Sequence, residues 1–321
     1  MTSNPYPVET KAPDITPYRK GNTGVDYITT LDSGRDGPHA LVVAVTHGNE
    51  ICGAITLDFL FRENIRPTRG KLTLAFSNHA AYHNFDPDNP NDSRQVEEDL
   101  NRVWAEDDLN GDRDTPDIRR ARELRPIVEQ ADFMLDIHSM FYPIAPLMIA
   151  GPTDKSREMS RDVGFPAYVI SDFGHKKGRR MRDYGAFSDP NSPKAALLVE
   201  CGQHWTAACA TVSTETTVRF LQHLDVIDAD WAKAQLPVEQ PTAQQFVKVT
   251  EAVTIKTNAF KFVEPYQGYE VIAKGGTAIA HDGDEPVLTP YDDCVLVMPT
   301  HRLIAGRSAV RLGHYTEPPA R

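Results

Sequence analysis

Short apolar runs alternate with amphipathic helical patterns over about the first 235 residues of this chain. Segments 49–63, 116–130 and 206–224 repeat apolar residues every three or four positions, as helices packed against a sheet do. Buried strands joined through helices form a largely parallel sheet with helices on both faces. This part of the chain is therefore predicted to be an α/β domain. The predicted strands are 41–46, 71–77, 133–138, 147–150, 167–170 and 195–200.

The pattern changes near residue 236. Residues 236–241, which include two prolines, predict a linker. From residue 244 onward, short runs alternate apolar and polar residues between glycine-rich turns, which is typical of antiparallel strands. We therefore expect two domains, residues 1–236 and 243–321, the second a small all-β domain.

Composition limits the partners that the chain can have. Its 34 Lys and Arg against 45 Asp and Glu give a net charge of -11, which excludes nucleic acid and anionic membrane surfaces as partners. No apolar run approaches the roughly 18 residues of a membrane helix, and the N-terminal segment lacks the apolar core of a secretory signal. Four cysteines without metal-binding spacing read as free thiols. We expect a cytoplasmic protein, and homo-oligomerisation is left open.

Much of the negative charge belongs to one segment. Residues 86–117 hold twelve acidic residues and three arginines, a local balance of -9. The segment is rich in Asn, Asp and Pro and shows little periodicity, so it predicts a long ordered loop of functional importance.

Two strand ends carry potential metal ligands. His47 and Glu50, three residues apart after the first predicted strand, can point at a common ion. Alone this pair is a weak signal, since a strand-end histidine is often an ordinary hydrogen-bonded residue. His138, with Asp136 two residues before it, ends another predicted strand, and ligands of α/β sheets gather at the carboxyl ends of strands. Two histidines and one glutamate leave a fourth zinc position open, the pattern of a catalytic site.

Four motifs, in this order, resemble the succinylglutamate desuccinylase and aspartoacylase family of zinc hydrolases, which are related to the zinc carboxypeptidases. They are THGNE at 46–50, DLNR at 99–102, DIHS at 136–139 and VECG at 199–202. The resemblance implies a zinc-carboxypeptidase-like mixed sheet flanked by helices, followed by a β-rich C-terminal domain. It covers about 160 residues.

The resemblance also implies roles for individual residues. His47, Glu50 and His138 match the ligands of one zinc ion per chain, and Glu200 matches the general acid/base. Arg94 matches the arginine that polarises the scissile carbonyl. The remaining matches concern substrate binding and are Asn78, Asn101 and Arg102. Without the resemblance, Arg94 would be an ordinary loop charge. Glu200 ends an apolar predicted strand, where partial desolvation keeps a carboxylate near a metal reactive, and the alternative is an ion pair with a neighbouring residue.

The chain departs from the family in one respect that bears on the substrate. Members acting on acidic N-acyl amino acids carry a further arginine shortly before the catalytic glutamate, where this chain offers only Lys194. The basic run 175–182 lies further upstream and is a second source of positive charge, or else a solvated turn.

These observations predict a zinc-dependent amidohydrolase that cleaves a small N-acyl amino acid or a related compound, with Glu200 activating the attacking water. Two alternatives remain open. One is a zinc carboxypeptidase acting on short peptides, and the other is a non-catalytic metal-binding protein.

Overall fold

The computed structural model describes residues 5–174, 178–239 and 241–320. Its strands are β1 (Ile28–Asp32), β2 (His39–Ala44), β3 (Lys71–Phe76), β4 (Phe133–Met140), β5 (Leu147–Ile149), β6 (Tyr168–Ser171), β7 (Ala195–Gln203), β8 (Gln245–Thr254), β9 (Phe260–Phe262), β10 (Val271–Ile272), β11 (Ala278–Asp282), β12 (Glu285–Leu288), β13 (Cys294–Val297) and β14 (Ser308–Thr316). Its α-helices are α1 (Cys52–Arg62), α2 (His79–Tyr82), α3 (Glu106–Asn110), α4 (Pro116–Gln130), α5 (Asp154–Val163), α6 (Ala207–His223) and α7 (Ala229–Gln235). Short 3-10 turns lie at Thr16–Tyr18, Leu100–Arg102, Met181–Asp183 and Gly185–Phe187.

The main sheet is mixed and has the strand order β1-β3-β2-β4-β7-β5-β6-β8-β14-β13-β10. Strands β3, β2, β4 and β7 are mutually parallel, whereas β5 pairs antiparallel with β7. The predicted mixed sheet flanked by helices is thus confirmed. The antiparallel edge strand β1 was not expected, because ITTLD is only partly buried and lacks the long apolar run of the central strands.

Two apolar layers hold the helices to the sheet, because successive side chains of a strand point to opposite faces. In β2, Val42 and Ala44 pack in the layer shared with α1 and α6, whereas Leu41 and Val43 pack in the layer shared with α4. Thr115 caps α4 by accepting a hydrogen bond from the Ile118 N–H, and Pro116 occupies the first turn, where its missing N–H costs nothing. Within the described ranges, no helix combines the length and the apolar character needed to cross a membrane.

The C-terminal region is antiparallel, as expected, but it is not detached from the α/β part. Strand β8 pairs in parallel with β6, and β14, β13 and β10 extend the same sheet. Among the described residues, β9, β11 and β12 form a separate three-stranded sheet. The expected boundary at 236–243 falls between α7 and β8. A pairing between β6 and β8 joins residues far apart in the chain, so local sequence patterns do not reveal it.

Candidate active site

A buried cluster of two histidines and one glutamate lies at the carboxyl ends of two neighbouring strands. Glu50 is central, with its Oε1 2.7 Å from His47 Nδ1 and its Oε2 2.9 Å from His138 Nδ1. The potential ligand atoms of the three residues all lie within 4.8 Å of one another. Strands β2 and β4 are adjacent and parallel, so the turn after β2 and the end of β4 meet at one edge of the sheet.

The outer nitrogens of both imidazoles face carboxylates. His47 Nε2 lies 2.9 Å from Asp99 Oδ1, and His138 Nε2 lies 2.9 Å from Asp136 Oδ2. Asp136 is itself held by a hydrogen bond that Thr46 Oγ1 donates at 2.9 Å. Carboxylates in this position orient metal-binding imidazoles and raise their basicity. Asp136 lies where it can serve this purpose for His138.

The electrostatics of the cluster favour a cation. Burial by itself would lower the pKa of His138, but Asp136 and Glu50 together raise it well above 6.5. Burial would raise the pKa of Glu50, but His47 and His138 keep that carboxyl well below its usual range. Two imidazole nitrogens and one ionised carboxylate are a donor set that suits zinc. The residues therefore fit a zinc ion held by His47, Glu50 and His138.

Arg94 joins the 86–117 loop to the cluster. Its Nη1 donates to Glu50 Oε1 at 3.3 Å and its Nη2 to Asp99 Oδ2 at 3.2 Å. Its carbonyl accepts a hydrogen bond from the N–H of Gly48, between the first two candidate ligands. The 86–117 segment, which contains the short helix α3, brings a guanidinium to the candidate metal centre.

Glu200 lies beside His138, because β7 pairs with β4 in a register that sets these two residues opposite each other. Its Oε2 is buried and has no hydrogen-bond partner in the described part of the chain. Burial, followed by the negative charge of Glu50, raises the pKa of Glu200 to about 8. A carboxyl with a pKa near neutrality can both take and return a proton.

Asn101 and Arg102 lie in a short turn that Asp99 caps by accepting from the Asn101 N–H. The Asn101 side chain accepts a hydrogen bond from the Met181 N–H at 3.0 Å, and its Nδ2 lies 3.3 Å from His138 Nε2. Arg102 Nη1 donates to the carbonyl of Asn101 at 2.7 Å. Both residues line the cavity described below.

Asn78 does not reach this site, contrary to the expectation for it. Its Nδ2 donates to Asp117 Oδ1 at 2.9 Å, and its Oδ1 accepts from the Ala81 N–H, which caps α2. It is buried and is absent from the residues that line the cavity. The reason is local, because an asparagine directly before a helix readily becomes its N-cap.

A cavity of about 250 Å³ opens next to the cluster. Its lining includes residues that the sequence did not single out as site residues, among them Ser139, His204, Arg180 and Arg311. Apolar residues cover the rest of its lining and include Met140, Phe141, Tyr142, Ile144, Leu198 and Met298.

His204 is the least expected of the polar lining residues. Its Nδ1 lies 2.8 Å from Ser139 Oγ, and burial lowers its pKa to about 4, so the imidazole is neutral at physiological pH. Its position four residues after Glu200, past the end of an apolar run, was the available sequence signal.

The sequence offered two sources of positive charge for the site, Lys194 and the basic run 175–182, and the structure places them differently. Lys194 donates to the carbonyl of Glu129 and does not line this cavity. Residues 175–177 of the basic run lie outside the described residues. Arg180, from the same run, does reach the cavity, but Asp172 and Asp183 bind its guanidinium.

The fold and site define an α/β protein with a candidate metal centre and a buried carboxyl at the edge of a small cavity. The family model described as "Succinylglutamate desuccinylase/Aspartoacylase catalytic domain" matches residues 36–224. The chain belongs to this family, which makes it a member of a family of amide hydrolases of the deacylase type. No curated protein sequence matches the chain.

Solved structures of the family share the fold. Succinylglutamate desuccinylase from Vibrio cholerae aligns with a TM-score of 0.65 at 14% identity, over 90% of this chain and 85% of that one. The product-bound ectoine utilization protein EutE (DoeB) from Ruegeria pomeroyi aligns with a TM-score of 0.62 at 15% identity, over 92% of each chain. Murine aminoacylase 3 aligns with a TM-score of 0.60 at 16% identity, over 88% of this chain and 96% of that one. At such identities the likeness concerns the fold alone.

Proposed function

We propose that this protein is a zinc-dependent amidohydrolase that removes the acyl group from a small N-acyl amino acid or a related compound. The observation that carries the proposal is the convergence of His47, Glu50 and His138, with the buried Glu200 carboxyl on the adjacent strand. A cavity of about 250 Å³ suits a small molecule rather than a folded protein. Membership of a deacylase family supports the reaction class.

His47, Glu50 and His138 would hold the zinc ion. When bound, zinc supplies Lewis acidity, which makes water easier to deprotonate near neutral pH and polarises a carbonyl group. Asp99 and Asp136 would keep the two imidazoles in the orientation that binding needs.

Glu200 carries the proton between the two halves of the reaction. Its ionised Oε2 takes a proton from water as the water oxygen attacks the carbonyl carbon of the amide. The same carboxyl then gives the proton to the amide nitrogen as the carbon-nitrogen bond breaks, which releases a carboxylic acid and an amine. Transfer of the acid proton to the amine leaves a carboxylate and an ammonium group. Burial, which raises the pKa of Glu200 to about 8, favours the proton-bound form, and a zinc ion held nearby would favour the ionised form that accepts the proton.

Two arginines provide the positive charge that this reaction needs outside the candidate metal centre. Arg94, which contacts Glu50 and Asp99, stabilises negative charge that develops on the carbonyl oxygen. Arg102 binds the substrate carboxylate, since a guanidinium can donate two parallel hydrogen bonds to it. Asn101 fixes the turn that presents Arg102 through its bonds to Met181 and its contact with His138.

The deciding experiment is a hydrolysis screen of the zinc-loaded protein with N-acetyl, N-succinyl and N-acyl diamino acids, and with dipeptides. We expect release of the free amino acid, loss of activity with a chelator, and recovery with zinc. Preferential cleavage of dipeptides would instead identify a carboxypeptidase. Stoichiometric zinc without any hydrolysis would identify a metal-binding protein.

We also propose a cytoplasmic location. The four cysteines are free and buried, which is typical of proteins from reducing compartments. Fractionation of the native host cells tests the proposal.

A further inference from the structure

One short stretch of the 86–117 loop contacts the candidate metal centre at both of its ends. At its start, Arg94 Nη1 donates to Glu50 Oε1 at 3.3 Å. At its end, Asp99 Oδ1 lies 2.9 Å from His47 Nε2. Residues 95–98 between them belong to no helix or strand, so their backbone N–H groups need partners from elsewhere in the fold. Whatever holds these residues also determines where the two side chains lie.

The carboxylate of Asp117 holds this stretch by its backbone. Its Oδ2 accepts hydrogen bonds from the N–H groups of Glu97 and Glu98, at 2.9 and 3.0 Å. Its Oδ1 accepts a longer bond from the Val96 N–H, at 3.4 Å. Three consecutive N–H groups therefore converge on one carboxylate, and hydrogen bonds to an ionised acceptor are roughly twice as strong as those between neutral groups.

The same carboxylate connects the stretch to the turn that carries the first two candidate ligands. Asn78 Nδ2 donates to Asp117 Oδ1 at 2.9 Å, and the Asn78 N–H donates to the carbonyl of Val45 at 3.0 Å. Val45 lies two residues before His47. Asn78 therefore links the end of β2 to Asp117, although it does not line the cavity.

The surroundings of Asp117 suit a fixed, ionised carboxylate. The side chain is 1% exposed, and the hydrogen bonds that it accepts in the described part of the chain all come from uncharged N–H groups. It lies in the first turn of α4, where the positive end of the helix dipole favours a negative charge. A buried carboxylate without its hydrogen bonds is costly, so Asp117 and residues 96–98 stabilise each other.

We propose that Asp117 is a positioning residue, which holds residues 96–98 so that Arg94 and Asp99 meet the candidate metal centre. Asp117 is not among the residues that line the cavity, so it acts only through the stretch that it holds. The effect on catalysis rests on the proposed function, whereas the effect on the stretch itself does not.

The test compares the wild type with Asp117→Asn and Asp117→Glu. An Asn side chain has a single acceptor oxygen and cannot replace both carboxylate oxygens, whereas Glu keeps both but is longer by one methylene group. We expect Asp117→Asn to weaken zinc affinity and to lower kcat by about 10-fold each, and Asp117→Glu to lose less. Competition with a chromogenic chelator measures the affinity, and steady-state kinetics measures kcat.

Asp114→Asn serves as the matched control. It removes the same charge from the same loop, at an exposed carboxylate that pairs with Arg119 at 3.0 Å. This variant should keep the zinc affinity and the kcat of the wild type.

Hydrogen exchange of the zinc-free proteins separates positioning from a general loss of stability. We expect the amides of residues 96–98 to exchange about 10-fold faster in Asp117→Asn, while the amides of β2 and β4 keep their protection. Faster exchange throughout the sheet, or unchanged exchange at 96–98 with unchanged zinc affinity, would overturn the assignment of Asp117. If Asp117→Asn does not fold, the same two measurements on Asp117→Glu decide.

The two proposals can fail separately. A wild type that binds zinc but hydrolyses none of the compounds in the screen would overturn the proposed function. Zinc affinity and hydrogen exchange would still support or overturn the role of Asp117, because neither measurement requires hydrolysis.

Discussion

At the scale of single residues, the site depends on buried charges whose partners lie on different elements. Glu200 lies within β7 with one carboxylate oxygen unpaired in the described structure, whereas Asp172 after β6 is bound at both oxygens by Arg180. The Glu200 carboxyl, with an oxygen free, can transfer a proton. The Asp172 carboxylate, with both oxygens bound, stabilises the fold. We therefore expect a neutral substitution to reduce activity at Glu200 and stability at Asp172.

Replacing Glu200 by Gln should leave zinc binding intact and reduce kcat by about 10²- to 10⁴-fold, the usual contribution of a general acid/base. The amide keeps the shape of the side chain but cannot take a proton from water. Metal analysis and steady-state kinetics on the same preparation check both parts. Retention of most activity would remove Glu200 from the role of proton carrier.

Replacing Asp172 by Asn should lower the free energy of unfolding at pH 7 by about 3 kcal/mol, because Arg180 loses one of its two carboxylate partners. Burial alone would raise the pKa of Asp172, but the charge of Arg180 brings it to about 2, below the 3.8 of the free side chain. The ionised carboxylate therefore stabilises the fold above about pH 4, and this contribution is lost as the pH falls through about 2.

Urea unfolding of both proteins at pH 7 and near pH 2.5 measures this effect. The difference in stability should shrink at the lower pH. A difference that stays constant with pH would mean that the Asp172 charge is not what stabilises the wild type.

At the scale of elements, the turn between β2 and α1 packs closely against the 86–117 loop, with no space for a side chain at Gly48. A methyl group on Gly48 would lie 2.4 Å from the Ser93 carbonyl oxygen and 2.5 Å from the Tyr82 nitrogen. Both are backbone atoms, so the turn itself would have to move. Since Gly48 stands between His47 and Glu50, any such shift changes the candidate metal centre.

Gly48→Ala should therefore weaken zinc affinity by on the order of 10-fold, the scale on which displaced surroundings of a metal ligand act. The control is Gly34→Ala, at an exposed turn with φ +70°, where the added methyl group meets nothing within 4 Å. That variant should lose some stability through backbone strain but keep its zinc affinity. Competition with a chromogenic chelator measures both, and unchanged affinity in Gly48→Ala would contradict the expected displacement.

At the scale of the whole molecule, the C-terminal strands complete both the sheet and the cavity. Strand β8 covers the edge of β6, and Val247 and Val297 pack in one cluster with Ile149 and Leu198 of the α/β part. Met298, Pro299 and Arg311 line the cavity. The C-terminal strands therefore continue the main sheet and supply part of the cavity wall.

A chain that ends at residue 238 should fail to give a soluble folded monomer. It would expose the unpaired edge of β6 and the apolar cluster beneath β8, and bare edges of this kind promote aggregation. Size-exclusion chromatography and circular dichroism of the truncated and full-length proteins check this expectation. A monomeric truncated protein with a cooperative thermal transition would show instead that residues 1–236 fold independently.

The sequence by itself determined the central strands, the major helices and the candidate metal ligands, because these depend on local information. Apolar runs and helical periodicity encode buried strands and amphipathic faces, and His47, Glu50 and His138 stand at strand ends where α/β sheets collect ligands. The DLNR motif likewise placed Asn101 and Arg102 at the cavity.

Only the tertiary structure decided which polar and charged side chains, besides the candidate metal ligands, reach the cavity. It directed Asn78 to a helix cap and Lys194 to a backbone carbonyl, paired Arg180 with Asp172, and brought in Arg311 from the last strand. Asn78 caps the helix next to it, which is a local outcome. The positions of Lys194, Arg180 and Arg311 depend instead on contacts between segments far apart in the chain, such as the pairing of β6 with β8 that leads to β14. The period or spacing of a short segment does not encode such contacts.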